Sequence, residues 1–337
     1  MNFWFGIWRF VKWLLWLGVP ICFGFWLLSL PWQFVPKPIQ YGFTFSIKEA
    51  RDLGLDWQQV LTSALSDLKP KTIRLSAYWD QIEPEPGNYQ WQDLDWQIAE
   101  AAKYKTQVIL AVGSRLPRWP ECHLPKWATT KTENQRQDQV LQYIRQVVKK
   151  YQLNSIIVAW QVENEPFLSN FGECPEFSAK FLDEEIQVVR ELDTRPIVVT
   201  DSGELSTWVL AAKRADIFGT TMYRDTYSNV LKSYVHYPIK PGFFRVKKRL
   251  SDIIAHPKKW IVIELQGEPW APKPFQQVSQ AERDKTMSLA KFTEMNEFAR
   301  ATGFDELYWW GVEWWYWERQ QGRPEFWEKA ANIFNNQ

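Results

Sequence analysis

Residues 155–166 read Ser-Ile-Ile-Val-Ala-Trp-Gln-Val-Glu-Asn-Glu-Pro. The first eight are nearly all apolar, and a short run of that kind marks a strand buried on both faces, as in a parallel sheet. The run stops on two carboxylates, an amide and a proline, which cannot donate to a continuing ladder. The segment therefore predicts a strand that delivers Glu163, Asn164 and Glu165 to one end of a sheet.

Seven further runs of similar character flank it: Gln40–Ser46, Thr72–Tyr78, Gln107–Gly113, Pro196–Asp201, Asp216–Met222, Trp260–Glu264 and Glu306–Val312. Helical periodicity lies between them. Trp57, Leu61, Ala64, Leu65 and Leu68 fall on one helix face, as do Val140, Ile144, Val147, Val148 and Tyr151. Val246, Leu250, Ile253 and Ile254 do the same, and so do Phe326, Ala330, Ile333 and Phe334 after the last run. The second, fifth and seventh helices are weakly marked. Eight strand-then-helix units in about 300 residues predict an α/β chain folded as a (β/α)8 TIM barrel over residues 40–337. A doubly wound open sheet is the competing arrangement, and it would carry a Gly-rich first turn that is absent here. In a barrel, chemistry sits at the C-terminal ends of the strands.

Composition narrows the chemistry. Of 337 residues, 40 are Lys or Arg and 39 are Asp or Glu, a net charge of +1. That balance argues against a nucleic-acid partner, which calls for a basic excess. The sequence has no HExxH or CxxC, no phosphate loop or GxGxxG, and no GxSxG. With three His and three Cys, no metal and no organic cofactor are expected. The anomaly is 22 Trp. Flat aromatic faces in polar clefts suit sugars, whose rings have apolar C–H faces; a Trp-rich core and a membrane belt are the other uses.

The N-terminus carries an uncharged, mostly apolar run of 18 residues, Trp13–Leu30, preceded by Arg9 and Lys12. That length just spans a bilayer as one helix. It exceeds the usual h-region of a signal peptide, and Leu28-Ser29-Leu30-Pro31-Trp32 lacks a small-x-small cleavage site. The expectation is one N-terminal transmembrane helix (1–30), a Pro-rich linker (31–39), and an extracytoplasmic domain held at the membrane, since positive charge before the span keeps the N-terminus inside. A cleaved signal peptide with secretion, or a buried core helix, are the alternatives. The catalytic domain is expected to be monomeric.

Two runs end on carboxylates in a way that suits one reaction. The fourth ends Glu163-Asn164-Glu165-Pro166, and the seventh ends Ile263-Glu264-Leu265-Gln266. Two carboxyls on one barrel rim are what glycoside hydrolysis needs, one to protonate the leaving oxygen and one to attack or activate water. The other reading is a pair of solvated or ion-paired glutamates. For Glu264 it is the costlier one, because four apolar residues precede it directly.

Asn-Glu-Pro after the fourth strand with a Glu ending the seventh resembles clan A glycoside hydrolases, especially the cellulase-like family 5 and its relatives. Tyr78-Trp79-Asp80 through Ile82-Glu83-Pro84-Glu85-Pro86-Gly87 and on to Trp91 resembles the second loop of that clan, and Arg118-Trp119-Pro120-Glu121 is similar to its third. The resemblance covers roughly residues 40 to 335. It implies Glu165 as acid/base, Glu264 as nucleophile and Asn164 on the sugar 2-hydroxyl. It also implies Arg74 and Tyr223 beside the nucleophile, and Trp310 as the platform under the reacting sugar. Trp79, Trp119 and His123 are further candidates; Glu163 and Glu268 are expected to support the site. The chain departs from family 5 where Gly113-Ser114-Arg115 and Thr221-Met222-Tyr223 replace the usual histidines.

The expected function is thus a retaining β-glycoside hydrolase acting on a β-linked oligo- or polysaccharide. Its rivals are a transglycosidase remodelling a cell-surface polysaccharide, a non-catalytic carbohydrate-binding protein on the same barrel, and a structural membrane component suggested by the basic-aromatic run 243–249. Cys122 and Cys174 lie in the loops after adjacent strands three and four and are expected to form a disulfide, leaving Cys22 free.

Overall fold

The computed structural model describes residues 16, 18–20, 23–24, 38–169, 171–175 and 177–336. The Trp13–Leu30 run lies largely outside them; its described residues, Trp16, Gly18 to Pro20, Phe23 and Gly24, are helical. Among the described residues no helix is long and apolar enough to cross a membrane.

The strands are β1 (Gln40–Thr44), β2 (Thr72–Ser76), β3 (Gln107–Val112), β4 (Ile157–Val162), β5 (Ile197–Asp201), β6 (Ile217–Met222), β7 (Asp225–Ser228), β8 (Ser233–His236), β9 (Lys259–Gln266) and β10 (Glu306–Trp310). Eight of them close a parallel barrel in the order β1-β10-β9-β6-β5-β4-β3-β2. β7 and β8 form an antiparallel hairpin outside it. That hairpin was not legible in the sequence, because Asp225–Ser228 and Ser233–His236 are too short and polar to read as strands.

Side-chain alternation divides the strands into an outer and an inner face. The outward residues, among them Phe43, Ile73, Leu75, Leu110, Trp160, Val199, Phe218 and Trp309, join the barrel–helix core. Ile109, Ala159, Val198, Ile261, Ile263 and Tyr308 form a small separate cluster inside the barrel. Gly42 makes room for that inner layer: a Cβ there would lie 2.4 Å from the Thr72 carbonyl and 2.7 Å from the Tyr308 ring. Toward the C-terminal end the inner layer turns polar, with Thr44, Arg74, Gln161, Thr200 and Glu264 all buried.

β9 runs two residues past Glu264 and is irregular there. Thr220 pairs with Val262 but Thr221 with Glu264, and Leu307 with Val262 but Trp309 with Leu265. β9 thus carries an extra residue relative to both neighbours, a bulge of the kind that re-aims a side chain. Ile263 faces the interior, and Glu264 beside it reaches an interior arginine as well.

The helix Glu133–Tyr151 starts on a capping box made by Thr132 and Gln135, and the helix Trp57–Leu68 starts on Asp56. The helix Pro241–Ala255 corrects the sequence reading. Its buried residues are Gly242, Phe244, Val246 and Ser251, while Leu250, Ile253 and Ile254 are exposed at 54%, 71% and 51%. Phe244 packs on Trp208 and Phe298, and this fixes the rotation that turns the aliphatic stripe outward.

Candidate active site

Arg74 stands in the middle of β2, where alternation points it into the barrel. It is fully buried. Its guanidinium donates to Glu264 Oε1 at 2.7 Å, to Thr44 Oγ1 at 2.9 Å, to Gln161 Oε1 at 3.2 Å and to Asn164 Oδ1 at 3.3 Å. The Tyr223 hydroxyl, just past β6, donates to the other Glu264 oxygen at 2.9 Å. Glu264 thus meets one guanidinium and one phenol, each on its own oxygen. Burial and then the Glu264 charge push the Tyr223 hydroxyl well above its ordinary value, so it stays a donor.

Glu165 has the opposite surroundings. It follows β4 with φ at +44°, a left-handed conformation that costs a non-glycine residue about 1 kcal/mol or more. Its backbone N–H donates to Thr200 Oγ1 at 2.9 Å, and the Thr221 hydroxyl donates to its carboxyl at 3.1 Å. Burial, then the negative charges of Glu264, Glu121 and Asp201, push the carboxyl well above the ordinary range, with Arg115 opposing. One carboxyl lies against a cation and a phenol and the other among negative charges, a contrast of surroundings of the kind that divides a pair of like groups into two roles.

Glu163, also at positive φ (+56°), points away from that pair. Its carboxyl accepts from the backbone N–H groups of Ser114, at 2.8 Å, and Arg115. Gly113 permits this approach: at φ +127°, a Cβ there would sit 2.4 Å from Glu163 Oε1. Behind lies Glu185, fully buried on the helix Ala179–Leu192. Burial raises both carboxyls, and the neighbouring Glu163 raises Glu185 further. Two such groups in contact share a proton rather than both ionise. The folded state then binds more protons than the unfolded chain above the ordinary carboxylate range, so stability falls as pH rises from there toward the raised values. Chemical denaturation between pH 5 and 9 is expected to show this slope, up to about 1.4 kcal/mol per pH unit per shared proton. Glu185→Gln is expected to lessen it by that pair's share, the raised carboxyls of Glu121 and Glu204 keeping theirs.

Glu268 serves a second buried cation. Arg118, past β3, donates to both its oxygens and at 3.0 Å to Glu313 Oε2. The same guanidinium lies 4.1 Å from the Trp310 ring centre, and the Trp310 N–H donates to Glu268 at 2.7 Å. Trp310, only 7% exposed, is thus locked in place at the barrel mouth. Trp309, Trp314 and Trp315 are core residues.

Two candidates lie elsewhere. Trp79 is corrected: its ring is buried against Tyr143 and Trp127, and its N–H donates to Glu83 at 2.8 Å. The short helix Trp79–Ile82 turns it into the barrel–helix layer. His123 is buried with Nε2 against the carbonyls of Leu116 and Arg118, and burial lowers it to about 3, so it stays neutral and braces the third loop. Trp119, by contrast, is 60% exposed. It meets Phe171, which meets Trp270, which meets Tyr223, with ring centres 6.1, 5.6 and 5.2 Å apart. An aromatic row thus runs outward from the tyrosine on Glu264.

Cys122 and Cys174 are disulfide-bonded with Cα atoms 5.2 Å apart. The bridge ties the loop after β3 to the loop after β4, and Glu173 N–H to the Pro120 carbonyl at 2.9 Å reinforces it. Sequence reasoning missed four residues that the site uses: Gln161, Thr200, Thr221 and Glu121. The first three lie inside strands at interior positions near the C-terminal end, a signal that strand alternation carries. Glu121 sits in a loop and had no such signal.

Comparison with known proteins bears on the barrel. The glycosyl hydrolase family 10 model matches residues 58–181, a stretch that contains Arg74 and Glu165. No curated protein matches. Among solved structures, a β-galactosidase from the psychrophilic Marinomonas ef1 aligns at 13% identity over 88% of this chain and 59% of its own, with a TM-score of 0.61. A psychrophilic family 10 endo-β-1,4-xylanase aligns at 13% identity over 81% of this chain and 86% of its own, TM-score 0.52. The exo-β-1,4-mannosidase Op5Man5 from Opitutaceae bacterium strain TAV5 aligns at 13% identity over 82% and 52%, TM-score 0.55. The chain spans about three fifths of the length of that β-galactosidase. At this identity the structures share the fold alone.

Proposed function

We propose that this clan A, cellulase-like protein is a retaining β-glycosidase acting by double displacement, with Glu264 as nucleophile and Glu165 as acid/base. The observation that carries the reading is the division of charge: Arg74 and Tyr223 each hold one oxygen of Glu264, while burial and the Glu264 charge keep Glu165 protonated. Glu264 attacks the anomeric carbon as the glycosidic C–O bond breaks, and Glu165 passes its proton to the leaving oxygen. Glu165, now a carboxylate, takes a proton from water, whose oxygen displaces Glu264 and restores the starting state. The second displacement gives the retained configuration.

The three solved neighbours act on different sugars, as their descriptions state, so the barrel alone does not select the glycan. The row from Tyr223 to Trp119 supports a substrate that extends beyond the reacting sugar, since aromatic faces stack on successive rings. The test is turnover on β-glucans, mannans, xylans and aryl β-glycosides, scored for the anomer first released. Retention on at least one member is expected. Binding without turnover across the panel would favour a carbohydrate-binding role. An oligosaccharide product formed only when acceptor sugars are added would favour transfer. We further propose that Trp13–Leu30 is an uncleaved anchor, on its length and missing cleavage site. N-terminal sequencing of membrane-extracted protein is expected to find Met1; a chain starting near Trp32 would refute it.

A further inference from the structure

Asn164 precedes Glu165 in the chain and shares the Arg74 guanidinium with Glu264, and its amide is constrained at both ends. The oxygen accepts from Arg74 at 3.3 Å, from Gln161 Nε2 at 3.2 Å and from the Thr200 hydroxyl at 3.3 Å. The nitrogen donates to Glu121 Oε2 at 3.2 Å. Its second N–H has no acceptor among the described residues. That N–H is the group left to meet a ligand.

Glu121 is built into its position at some cost. It is buried, and it holds φ at +73°. Its backbone N–H donates to the Arg118 carbonyl at 2.7 Å and its carbonyl accepts from Leu116 N–H at 2.8 Å. Gly172 lies against its stem so closely that a Cβ there would be 2.7 Å from the Glu121 Cβ. The next residue, Cys122, carries the disulfide to the same Gly172–Cys174 strap. Arg115 reaches Glu121 Oε2 at 3.9 Å and donates to the Phe171 carbonyl on that strap at 2.9 Å. A buried carboxyl held this firmly, with one close polar partner, has a positional task.

We propose that Glu121 is a positioning residue that fixes the orientation of the Asn164 amide, and thereby the hydrogen bond from Asn164 to the 2-hydroxyl of the reacting sugar. The three donors on its oxygen settle which way round the amide lies, but with Glu121 removed the acceptor that anchors its nitrogen is lost and the amide plane is free to tilt. Burial and the Glu264 charge push Glu121 up to about 8. Near neutral pH its uncharged acid is the form present, and the carbonyl oxygen of that acid still accepts from Asn164. Glutamine reproduces that acceptor; alanine does not. This inference rests on the glycosidase reading for the identity of the ligand hydroxyl.

The experiment compares an aryl β-glycoside from the active panel with its 2-deoxy analogue, in the wild type and in Glu121→Ala, Glu121→Asp and Glu121→Gln. Glu121→Ala is expected to lower kcat/KM on the parent by about 10- to 100-fold, the span of one hydrogen bond involving a charged or charge-developing partner. On the 2-deoxy analogue, which lacks the hydroxyl, it is expected to lower it by less than about 3-fold. Glu121→Gln is expected to restore most of the parent rate. Glu121→Asp, which withdraws the acceptor by one carbon and keeps the acid, tests the same point should the alanine variant fail to fold. Equal losses on both substrates would overturn the proposal and leave Glu121 a structural residue. If the wild type binds the glycosides but turns over neither, the hydrolase reading falls separately, and the same parent-to-deoxy ratio in dissociation constants decides the role of Glu121.

Discussion

Glu264→Ala is expected to abolish turnover on every substrate, with kcat falling by about 10⁵- to 10⁶-fold, the size of loss that follows removal of a covalent nucleophile. The fold is expected to survive, although the change leaves Arg74 with three neutral oxygen partners and no counter-charge. Removing one member of a buried ion pair costs about 3–5 kcal/mol, and thermal unfolding should register it as a lowered Tm in a still-cooperative transition. The kinetic loss should be insensitive to the leaving group, because no step of the double displacement proceeds without Glu264. Azide, occupying the vacated space, is expected to attack from the side of the missing carboxylate and give the inverted α-glycosyl azide. Wild-type rates in this variant would remove Glu264 from the mechanism.

Glu165→Ala is expected to fail differently. Proton donation contributes about 10²- to 10⁴-fold, so glycosides with poor leaving groups should lose that much. An aryl glycoside whose phenol leaves without protonation should still form the covalent intermediate. The intermediate should then accumulate, seen as a burst of phenol followed by a slow steady state, because no base activates water. Azide needs no such base. It is expected to restore turnover and to give the β-glycosyl azide, opposite in configuration to the product from Glu264→Ala. The alkaline limb of the pH profile should also vanish with the same aryl substrate. That limb belongs to Glu165, whose carboxyl is raised by burial and by the negative charges around it.

The barrel was legible because most of its strands read as nearly continuous apolar runs, and each of the eight barrel strands overlaps a run read from the sequence. The carboxylates were legible for the same reason: Glu165 and Glu264 interrupt or end such runs, where a charge has no ordinary explanation. What was not legible depends on contacts distant in the chain. The bulge in β9 that lets Ile263 and Glu264 both face inward leaves no trace in the apolar run Trp260–Ile263. The outward rotation of Leu250, Ile253 and Ile254 is decided by Phe244 packing on Trp208, not by the helix's own periodicity. Trp79 and Trp310 look alike as sequence. One is turned into the core by a short helix, and the other is pinned at the mouth by Arg118 and Glu268. Glu121 is reached only through a loop conformation that a disulfide and a glycine complete.

The division of labour between Glu264 and Glu165 is tested most directly by trapping. A 2-deoxy-2-fluoro glycoside with an activated leaving group slows both steps but the second more, so the glycosyl-enzyme survives digestion and mass spectrometry. One equivalent of label, attached to Glu264, is expected. Label on Glu121, Glu163 or Glu268, or continued turnover of the parent glycoside with no adduct at all, would contradict it.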